Sequence, residues 1–236
     1  FGTRLAPFTN VTSKHLAPIY SKEKGAIPII QYPIETLKKS GIEEILIITS
    51  RDHCGHIVQT LGDGKDLGVN LTYKIQEMNR SPTGIAQALK LSEVFVCQDK
   101  FAVILGDNFF ENSFEKEIKE FKNNNFKSAI FIKEIKDSKR FGVAEIDENG
   151  IVLNITEKPK IPKSNWAVTG LYFYTPEVFD ILPNLKPSGR GELEITDVNN
   201  SYVSLKKMKS YKLKGFWHDM GTVSSMIETQ NHINKL

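Results

Sequence analysis

The sequence has little of several features that would identify a function class at once. Only two of its 236 residues are cysteines, Cys54 and Cys97, which lack the spacing of a metal-binding pair and cannot form a disulfide framework. We expect both to be core thiols in a reducing compartment. No apolar run approaches the ~18 residues that a membrane span requires, and no signal peptide is recognisable. The sequence therefore predicts a cytoplasmic protein with no membrane partner.

The sequence also lacks a large excess of charge of either sign. Its 31 Lys and Arg residues stand against 28 Asp and Glu residues, which gives a net charge of +3. This balance argues against a nucleic-acid partner, although a local basic cluster could still bind an anionic small molecule. No serine lies in a nucleophile elbow, and the five histidines show no metal-ligand spacing. These absences favour a reaction that needs no protein nucleophile.

Strand patterns alternate with helical patterns along the first half of the chain. Apolar or alternating runs predict strands at 43–50, 69–76, 101–106 and 128–135. Apolar residues at helical spacing, with Gly41 and Asn112 as caps, predict helices at 27–41, 84–96 and 112–125. Strands that alternate with helices at this spacing form βαβ units and a mostly parallel sheet.

The second half of the chain predicts a small β-rich annex. Residues 142–159 predict two strands joined by a turn at Glu148-Asn149-Gly150, and residues 166–175 predict a further strand. Helices are predicted at 176–182, 192–207 and 221–236. The length suffices for one large domain with such an annex. The fold class is therefore α/β.

Two aspartates are candidates for a metal site. Asp107 follows the buried strand FAVIL within LGDN, and Asp219 lies in GFWHDMGT. In open α/β sheets, ligands gather at the carboxyl ends of the strands. Mg²⁺ prefers one or two carboxylates together with phosphate oxygens. The alternative is that each aspartate only stabilises a turn or a helix start, since Asp is common in both.

Cations that could bind phosphate lie in three segments. The opening stretch FGTRLAPFTNVTSKHLAPIY contains Gly2, which allows close backbone approach to a phosphate, and the fixed charges Arg4 and Lys14. Lys158 lies in TEKP, and Arg190 precedes Glu192 in SGRGELEITD. Each could equally be a solvated charge or a first-turn residue of a helix. A phosphate that attacks another phosphate is already anionic near neutral pH, so no general base is required.

Several segments together resemble the sugar-1-phosphate nucleotidylyltransferases, and most closely the short form of those members that use dTTP and glucose 1-phosphate. The segments run in family order over almost the whole chain. They are GTRLAPFTNVTSKHLAPIY, PTGIAQAL, ILGDNFF, RFGVAEID, EKPKIPKSNWAVTGLYFY, KPSGRGELEITDVNN and DMGT. This order is more specific than any single motif.

The resemblance implies a Rossmann-like, mostly parallel mixed sheet flanked by helices, with a small β-rich sugar-binding annex. It implies one nucleotidyltransferase domain over 1–236, with a nucleotide-binding part at about 1–126. A sugar-binding and metal-closing part follows at about 127–236. In the family a buried strand precedes the opening loop, so we expect an N-terminal strand to be missing from the sequence.

The resemblance also implies the residues that bind the nucleotide and the metal. Arg4 and Lys14 bind the triphosphate and stabilise the leaving pyrophosphate, in a loop that includes Gly2 and Thr3. Gln76 reads the nucleobase, helped by the backbone of Gly84. Asp107 and Asp219 hold Mg²⁺.

On the sugar-phosphate side, Glu157 accepts hydrogen bonds from the sugar hydroxyls and Lys158 binds the phosphate. The full set implied there is Asn108, Gly142, Glu157, Lys158, Val168, Arg190 and Glu192. The residues expected to act in catalysis are Arg4, Lys14, Asp107 and Lys158.

The implied reaction is in-line attack of a sugar 1-phosphate on the α-phosphorus of a nucleoside triphosphate. The expected assembly is a homodimer or a homotetramer. Two alternatives to this reading remain open, and a third is disfavoured. The base could be that of UTP, CTP or GTP and the sugar another one, because the loop between Gln76 and Gly84 is about three residues longer than usual in the family. A non-catalytic sugar-nucleotide sensor is a second alternative. A dehydrogenase is disfavoured, because no G-x-G-x-x-G motif is present.

Overall fold

Strands and helices alternate along most of the chain in the computed structural model, which describes residues 5–77, 82–189 and 191–236. Its strands are β1 (Pro18–Ser21), β2 (Gly25–Pro28), β3 (Glu44–Ser50), β4 (Asn70–Gln76), β5 (Phe101–Ile104), β6 (Asn108–Phe110), β7 (Ser128–Glu134), β8 (Gly142–Ile146), β9 (Val152–Glu157), β10 (Trp166–Tyr174), β11 (Met208–Lys212) and β12 (Trp217–Asp219). Its α-helices are α1 (Gln31–Lys39), α2 (Arg51–Leu61), α3 (Ile85–Lys90), α4 (Glu93–Val96), α5 (Glu115–Asn123), α6 (Val178–Ile181), α7 (Ile195–Ser204) and α8 (Val223–Ile233).

The chain divides into two compact units, each assembled from separate segments. The first unit comprises Phe1–Tyr73, Ile104–Glu115 and Gly215–Leu236, and the second comprises Lys74–Val103 and Lys116–Lys214. Each unit takes residues from both sides of position 126, where the sequence predicted a boundary between nucleotide-binding and sugar-binding parts. The single domain with those two parts stays a prediction.

The first unit holds short strands around a hydrophobic core. β1 pairs with β2 and β6 pairs with β12, both antiparallel, and β3 pairs with β4. The core consists of Ala17, Ile19, Ile29, Tyr32, Phe109 and Met220. Burying side chains of this size stabilises a fold by about 1.5–3 kcal/mol each. Because β1, β6 and the residue that follows β12 contribute to this core, it holds the polar residues next to those strands in place.

The second unit is organised around a six-stranded sheet. The strand order is β11-β7-β10-β8-β9, and β5 pairs with β10. β7 and β10 are buried almost throughout, which is why SAIFIKE and WAVTGLYFY are nearly continuous in apolar or small residues. Helix α7 binds this sheet through Asn200, whose side chain accepts from the Ile155 N–H (3.1 Å) and donates to the Ile155 carbonyl (2.9 Å). The sheet therefore holds α7 through a residue near the middle of the helix.

The predicted mixed α/β architecture is confirmed, with two differences in detail. Among the sheet pairs whose register is described, β7–β11 is parallel, but β7–β10, β8–β10 and β8–β9 are antiparallel. The sheet is thus less parallel than predicted, because a tight turn joins β8 to β9 and leaves no room for a crossover helix. The predicted annex strands, β8 and β9, therefore form a hairpin at one edge of this sheet and do not form a separate small sheet.

The helix limits also differ from those predicted. The helix predicted over 84–96 is interrupted at 91–92 and forms α3 and α4, and the first residues of the helix predicted over 27–41 form β2 instead. No pattern predicted α2, in which only Ile57 and Leu61 are buried, so its apolar stripe is weak. Within the residues that the structure describes, no helix combines the length and the apolar character needed to cross a membrane.

Candidate functional site

The first unit contains a partly buried ion pair between Lys14 and Asp107. Lys14 begins a short 3-10 helix, Lys14–Leu16, which Ser13 caps by accepting a hydrogen bond from the His15 N–H (3.3 Å). Asp107 lies between β5 and β6, and its Oδ2 accepts a hydrogen bond from the Lys14 ammonium. The ion pair joins two residues that are 93 positions apart in the chain. The structure therefore brings together the predicted triphosphate cation and the predicted metal ligand.

Two buried side chains, Asn108 and Trp217, help to hold Asp107 in place. The Asn108 Nδ2 donates to Asp107 Oδ1 (2.9 Å), and the Asn108 Oδ1 accepts from the Trp217 indole N–H (2.8 Å). Burial alone would raise the pKa of the Asp107 carboxyl, but the charge of Lys14 and the hydrogen bonds from Lys14 and Asn108 outweigh it and hold the pKa below its usual value. Asp107 is therefore a carboxylate at neutral pH.

Asp219 lies next to Asp107 in the same unit. In the β6–β12 ladder, Asp219 is the register partner of Asn108, and the Met220 N–H donates to the Asp107 carbonyl (2.7 Å). The Asp219 Oδ1 accepts a hydrogen bond from the Gly221 N–H (3.1 Å). Short strands with no strong pattern of their own thus place the two predicted metal ligands on neighbouring backbone segments.

The pair of aspartates fits a magnesium site that a phosphate would complete. Among the described residues, no group of three or more His, Cys, Asp or Glu side chains could hold a metal by itself. Mg²⁺ is usually bound by one or two carboxylates together with substrate phosphates, so two neighbouring aspartates match its preference. The Lys14 ammonium against Asp107 also demonstrates that this carboxylate accommodates a cation.

His15, to which the sequence assigned no role, packs beside the ion pair. A Cβ atom on Gly106 would lie 3.0 Å from the His15 ring, so any larger residue there would require the ring to shift by a few tenths of an ångström. Burial, together with the charge of Lys14, lowers the pKa of His15 to about 4, although Asp107 opposes the shift. His15 is therefore neutral at pH 7 and does not compete with Lys14 for Asp107.

The second unit contains the predicted sugar-phosphate residues Gly142, Glu157 and Lys158. Gly142 is the register partner of Glu157 across β8 and β9. The Thr196 hydroxyl, in the first turn of α7, donates to Glu157 Oε2 (2.6 Å), and the Lys158 ammonium lies 3.2 Å from Glu157 Oε1. Lys158 has a φ of 41°, a left-handed conformation that is strained for a residue other than glycine.

Thr196 contacts the predicted sugar-phosphate residue Glu157, and the sequence reasoning missed it. The motif ELEITD is part of the family resemblance, but its threonine looks like an ordinary polar residue at a helix start. Only the pairing of β8 with β9 and the packing of α7 place its hydroxyl on Glu157.

Gln76 and Gly84 lie together at the end of β4. The Gln76 Nε2 donates to the Gly84 carbonyl (3.1 Å) and to Gln87 Oε1. Gly84 has a φ of 113°, and a Cβ atom there would lie 2.5 Å from the Leu193 carbonyl oxygen. Only glycine fits, and the structure brings the two predicted base-binding residues into direct contact.

The remaining predicted residues divide into three groups. Glu192 forms a parallel bridge with Thr83, which places it beside the Gly84 loop. Val168 is buried in β10. Gly2, Thr3, Arg4 and Arg190 lie outside the described residues. The roles of all these residues, and the sugar-phosphate contact of Asn108, stay predictions.

The sequence was compared with known families and structures. It matches the profile of the family described as nucleotidyl transferase over residues 1–235. The chain belongs to this family. The predicted resemblance to the sugar-1-phosphate nucleotidylyltransferases is therefore confirmed.

Individual members of the nucleotidyl transferase family give a consistent result. The chain is 40% identical over 235 residues to the glucose-1-phosphate thymidylyltransferase of Neisseria meningitidis serogroup A, covering 98% of this chain and 79% of that protein. A Bacillus anthracis protein assigned as a glucose-1-phosphate thymidylyltransferase, solved in complex with a sucrose, superposes with a TM-score of 0.90 at 41% identity, covering 100% of this chain and 92% of that one. A UDP-glucose pyrophosphorylase complexed with UDP-glucose gives a TM-score of 0.82 at 26% identity, covering 100% of this chain and 95% of that one.

Proposed function

We propose that this nucleotidyl transferase joins dTTP and glucose 1-phosphate, giving dTDP-glucose and pyrophosphate. The observation that carries the proposal is the contact between Glu157 and Lys158, which sets an acceptor for sugar hydroxyls beside a cation for phosphate. The thymidylyltransferases that the chain matches at about 40% identity support the choice of base and sugar.

The proposed reaction forms one bond and breaks one. An anionic oxygen of glucose 1-phosphate attacks the α-phosphorus of dTTP, the bond from this phosphorus to the bridging oxygen breaks, and pyrophosphate leaves with the electron pair. The attacking oxygen needs no general base because it is already ionised. The chain contributes by holding the two anions and stabilising the leaving group.

Each charged side chain has one task in this proposal. Lys158 neutralises the sugar phosphate while Glu157, oriented by Thr196, accepts hydrogen bonds from the sugar hydroxyls. Lys14, with Arg4, stabilises the leaving pyrophosphate. Since the Lys14 ammonium is hydrogen-bonded to Asp107, binding of the triphosphate must draw it away from that carboxylate or share it.

Asp107 and Asp219 would hold Mg²⁺, because both supply carboxylate oxygens and lie on neighbouring backbone segments. When bound, the ion offsets the mutual repulsion of the two anionic substrates. The negative charge of Asp107 at neutral pH is the property that this task requires, and Asn108 and Trp217 fix the direction of its oxygens.

The test is pyrophosphate release from the protein with Mg²⁺, glucose 1-phosphate and each of dTTP, UTP, CTP, GTP and ATP in turn. We expect strong release with dTTP, lost on removal of Mg²⁺ with EDTA. Release with none of the five would contradict the proposal and favour a sensor that binds sugar nucleotides without turnover.

The second candidate is the same reaction with UTP. The likeness to a UDP-glucose pyrophosphorylase favours it, and the same assay separates the two, because UTP would then exceed dTTP. Assembly as a dimer or tetramer and a cytoplasmic location also remain proposals, which light scattering and cell fractionation would test.

A further inference from the structure

The side-chain amide of Gln76 is held in one orientation. A primary amide has two N–H donors on one end and a carbonyl acceptor on the other. In Gln76, the nitrogen faces the Gly84 carbonyl at 3.1 Å and also contacts Gln87 Oε1. Both donors are therefore directed at acceptors of the protein itself, and the carbonyl oxygen is the group that Gln76 can offer to a ligand.

The Gly84 carbonyl cannot move away to release this orientation. The loop before α3 is tied to the segment before α7, because the Leu193 N–H donates to the Thr83 carbonyl (2.7 Å) and the Ala86 N–H donates to the Leu193 carbonyl (3.2 Å). The close approach of Leu193 leaves no room for a Cβ atom at Gly84. A flip of the Gln76 amide would then set its oxygen against the Gly84 oxygen, and two acceptors repel each other.

Gln87 supplies the second acceptor from the first turn of α3. Without it, one N–H of Gln76 would have no partner among the residues that the structure describes and could turn toward a ligand. The Gly84 carbonyl sets the polarity of the base-reading amide, and the Gln87 oxygen supplies the acceptor for its second N–H.

We infer that Gln87 is a positioning residue that determines base specificity, by forcing Gln76 to present only a hydrogen-bond acceptor to the nucleobase. This inference rests on the proposed function, in which Gln76 reads the base. Thymine, uracil and guanine carry a ring N–H on the Watson–Crick edge, whereas cytosine and adenine carry an unprotonated ring nitrogen there. The Gln76–Gln87 pair therefore selects bases with a ring N–H donor, and it does not distinguish thymine from uracil.

The test measures dissociation constants of dTTP and dCTP by calorimetry, together with kcat/KM for both, in matched variants. Gln87→Leu removes the acceptor at nearly constant volume, and Gln87→Glu keeps an acceptor at the same place. We expect the wild type and Gln87→Glu to keep the same dTTP preference. In Gln87→Leu the preference should shrink by about 10-fold or more, mainly through tighter dCTP binding, since one unpaired hydrogen bond is worth about that factor. An unchanged preference in Gln87→Leu overturns the inference.

A second measurement uses only the wild-type protein and therefore does not depend on the folding of a variant. A dTTP analogue methylated at the ring N–H, N3-methyl-dTTP, should bind as weakly as dCTP. Binding equal to that of dTTP would overturn the inference. A wild type that uses UTP or GTP in place of dTTP would contradict the proposed substrate while leaving the inference standing. Preference for CTP or ATP, or binding of none, would overturn both.

Discussion

The two units hold their charged residues in different ways. In the first, Lys14 and Asp107 expose only 19% and 14% of their side chains, whereas in the second Lys158 and Glu157 expose 47% and 29%. Asp107 is further supported by the buried Asn108 and Trp217, while Lys158 has solvent on one side. Because charge interactions strengthen as water is excluded, we expect the first pair to contribute more to the stability of the fold than the second.

The largest expected effect is on turnover by Asp107→Asn. This variant keeps the size and the contact with Asn108 but removes the charge that would hold a metal. We expect kcat to fall by roughly 10²–10³-fold, the loss typical of one electrostatic group in an active site. Pyrophosphate release measures it, with circular dichroism to verify the fold. Near wild-type release would mean that Asp107 only stabilises the turn between β5 and β6.

The next prediction compares how much each of the two ion pairs contributes to the free energy of unfolding. Lys14→Met should lower the free energy of unfolding by about 2 kcal/mol, since a hydrogen bond to a charged group contributes about 1.5–3 kcal/mol. Lys158→Met, the matched control, should cost less than about 1 kcal/mol because that pair is exposed. Urea unfolding of both variants, and of Lys14→Met with Asp107→Asn, measures the difference. Equal losses in the two single variants would remove the distinction between the units.

A smaller effect concerns the support of Glu157 within the second unit. Thr196→Val removes the hydroxyl that donates to Glu157 at nearly constant shape, while Thr196→Ser keeps it. We expect KM for glucose 1-phosphate to rise by about 5–10-fold in the valine variant, in line with one lost hydrogen bond of about 1 kcal/mol. KM for dTTP should not change. A parallel rise in both KM values would indicate a general defect of α7.

A last effect, on the stability of the fold, appears only when the pH is lowered. His15 has a pKa of about 4 in the folded protein and an ordinary value of 6.5. Between these values the unfolded chain binds the additional proton, so stability is fully present above pH 6.5 and falls as the pH drops toward 4. Thermal unfolding at a series of pH values measures the slope. His15→Gln should flatten it, and an unchanged slope would assign the dependence to another group.

Elements with a strong local pattern could be predicted from the sequence. The continuous apolar runs of β3 and β7 indicated strands, and the turn predicted at Glu148-Asn149-Gly150 is present. In that turn the Asp147 carboxylate accepts hydrogen bonds from the Asn149 and Ile151 N–H groups at 2.9 and 2.7 Å. These features depend on residues close in sequence, so a local pattern is sufficient to find them.

The β6–β12 ladder could not be predicted, because each strand has three residues and the register depends on chain segments more than 100 positions apart. The same limit applies to the candidate site. The motifs identified Lys14, Asp107 and Glu157, but the residues that orient such groups, Thr196 and Gln87, are ordinary polar side chains in the sequence. Their partners become apparent only when helices pack against strands.

The contact at Leu193 joins two regions of the second unit to which the proposed function assigns different ligands. On one side it fixes the Gly84 loop and, through it, Gln76. On the other side it continues within three residues into Thr196 and its hydrogen bond to Glu157. Any change that disturbs Leu193 would therefore affect the orientation of Gln76 and the hydrogen bond from Thr196 to Glu157 at the same time.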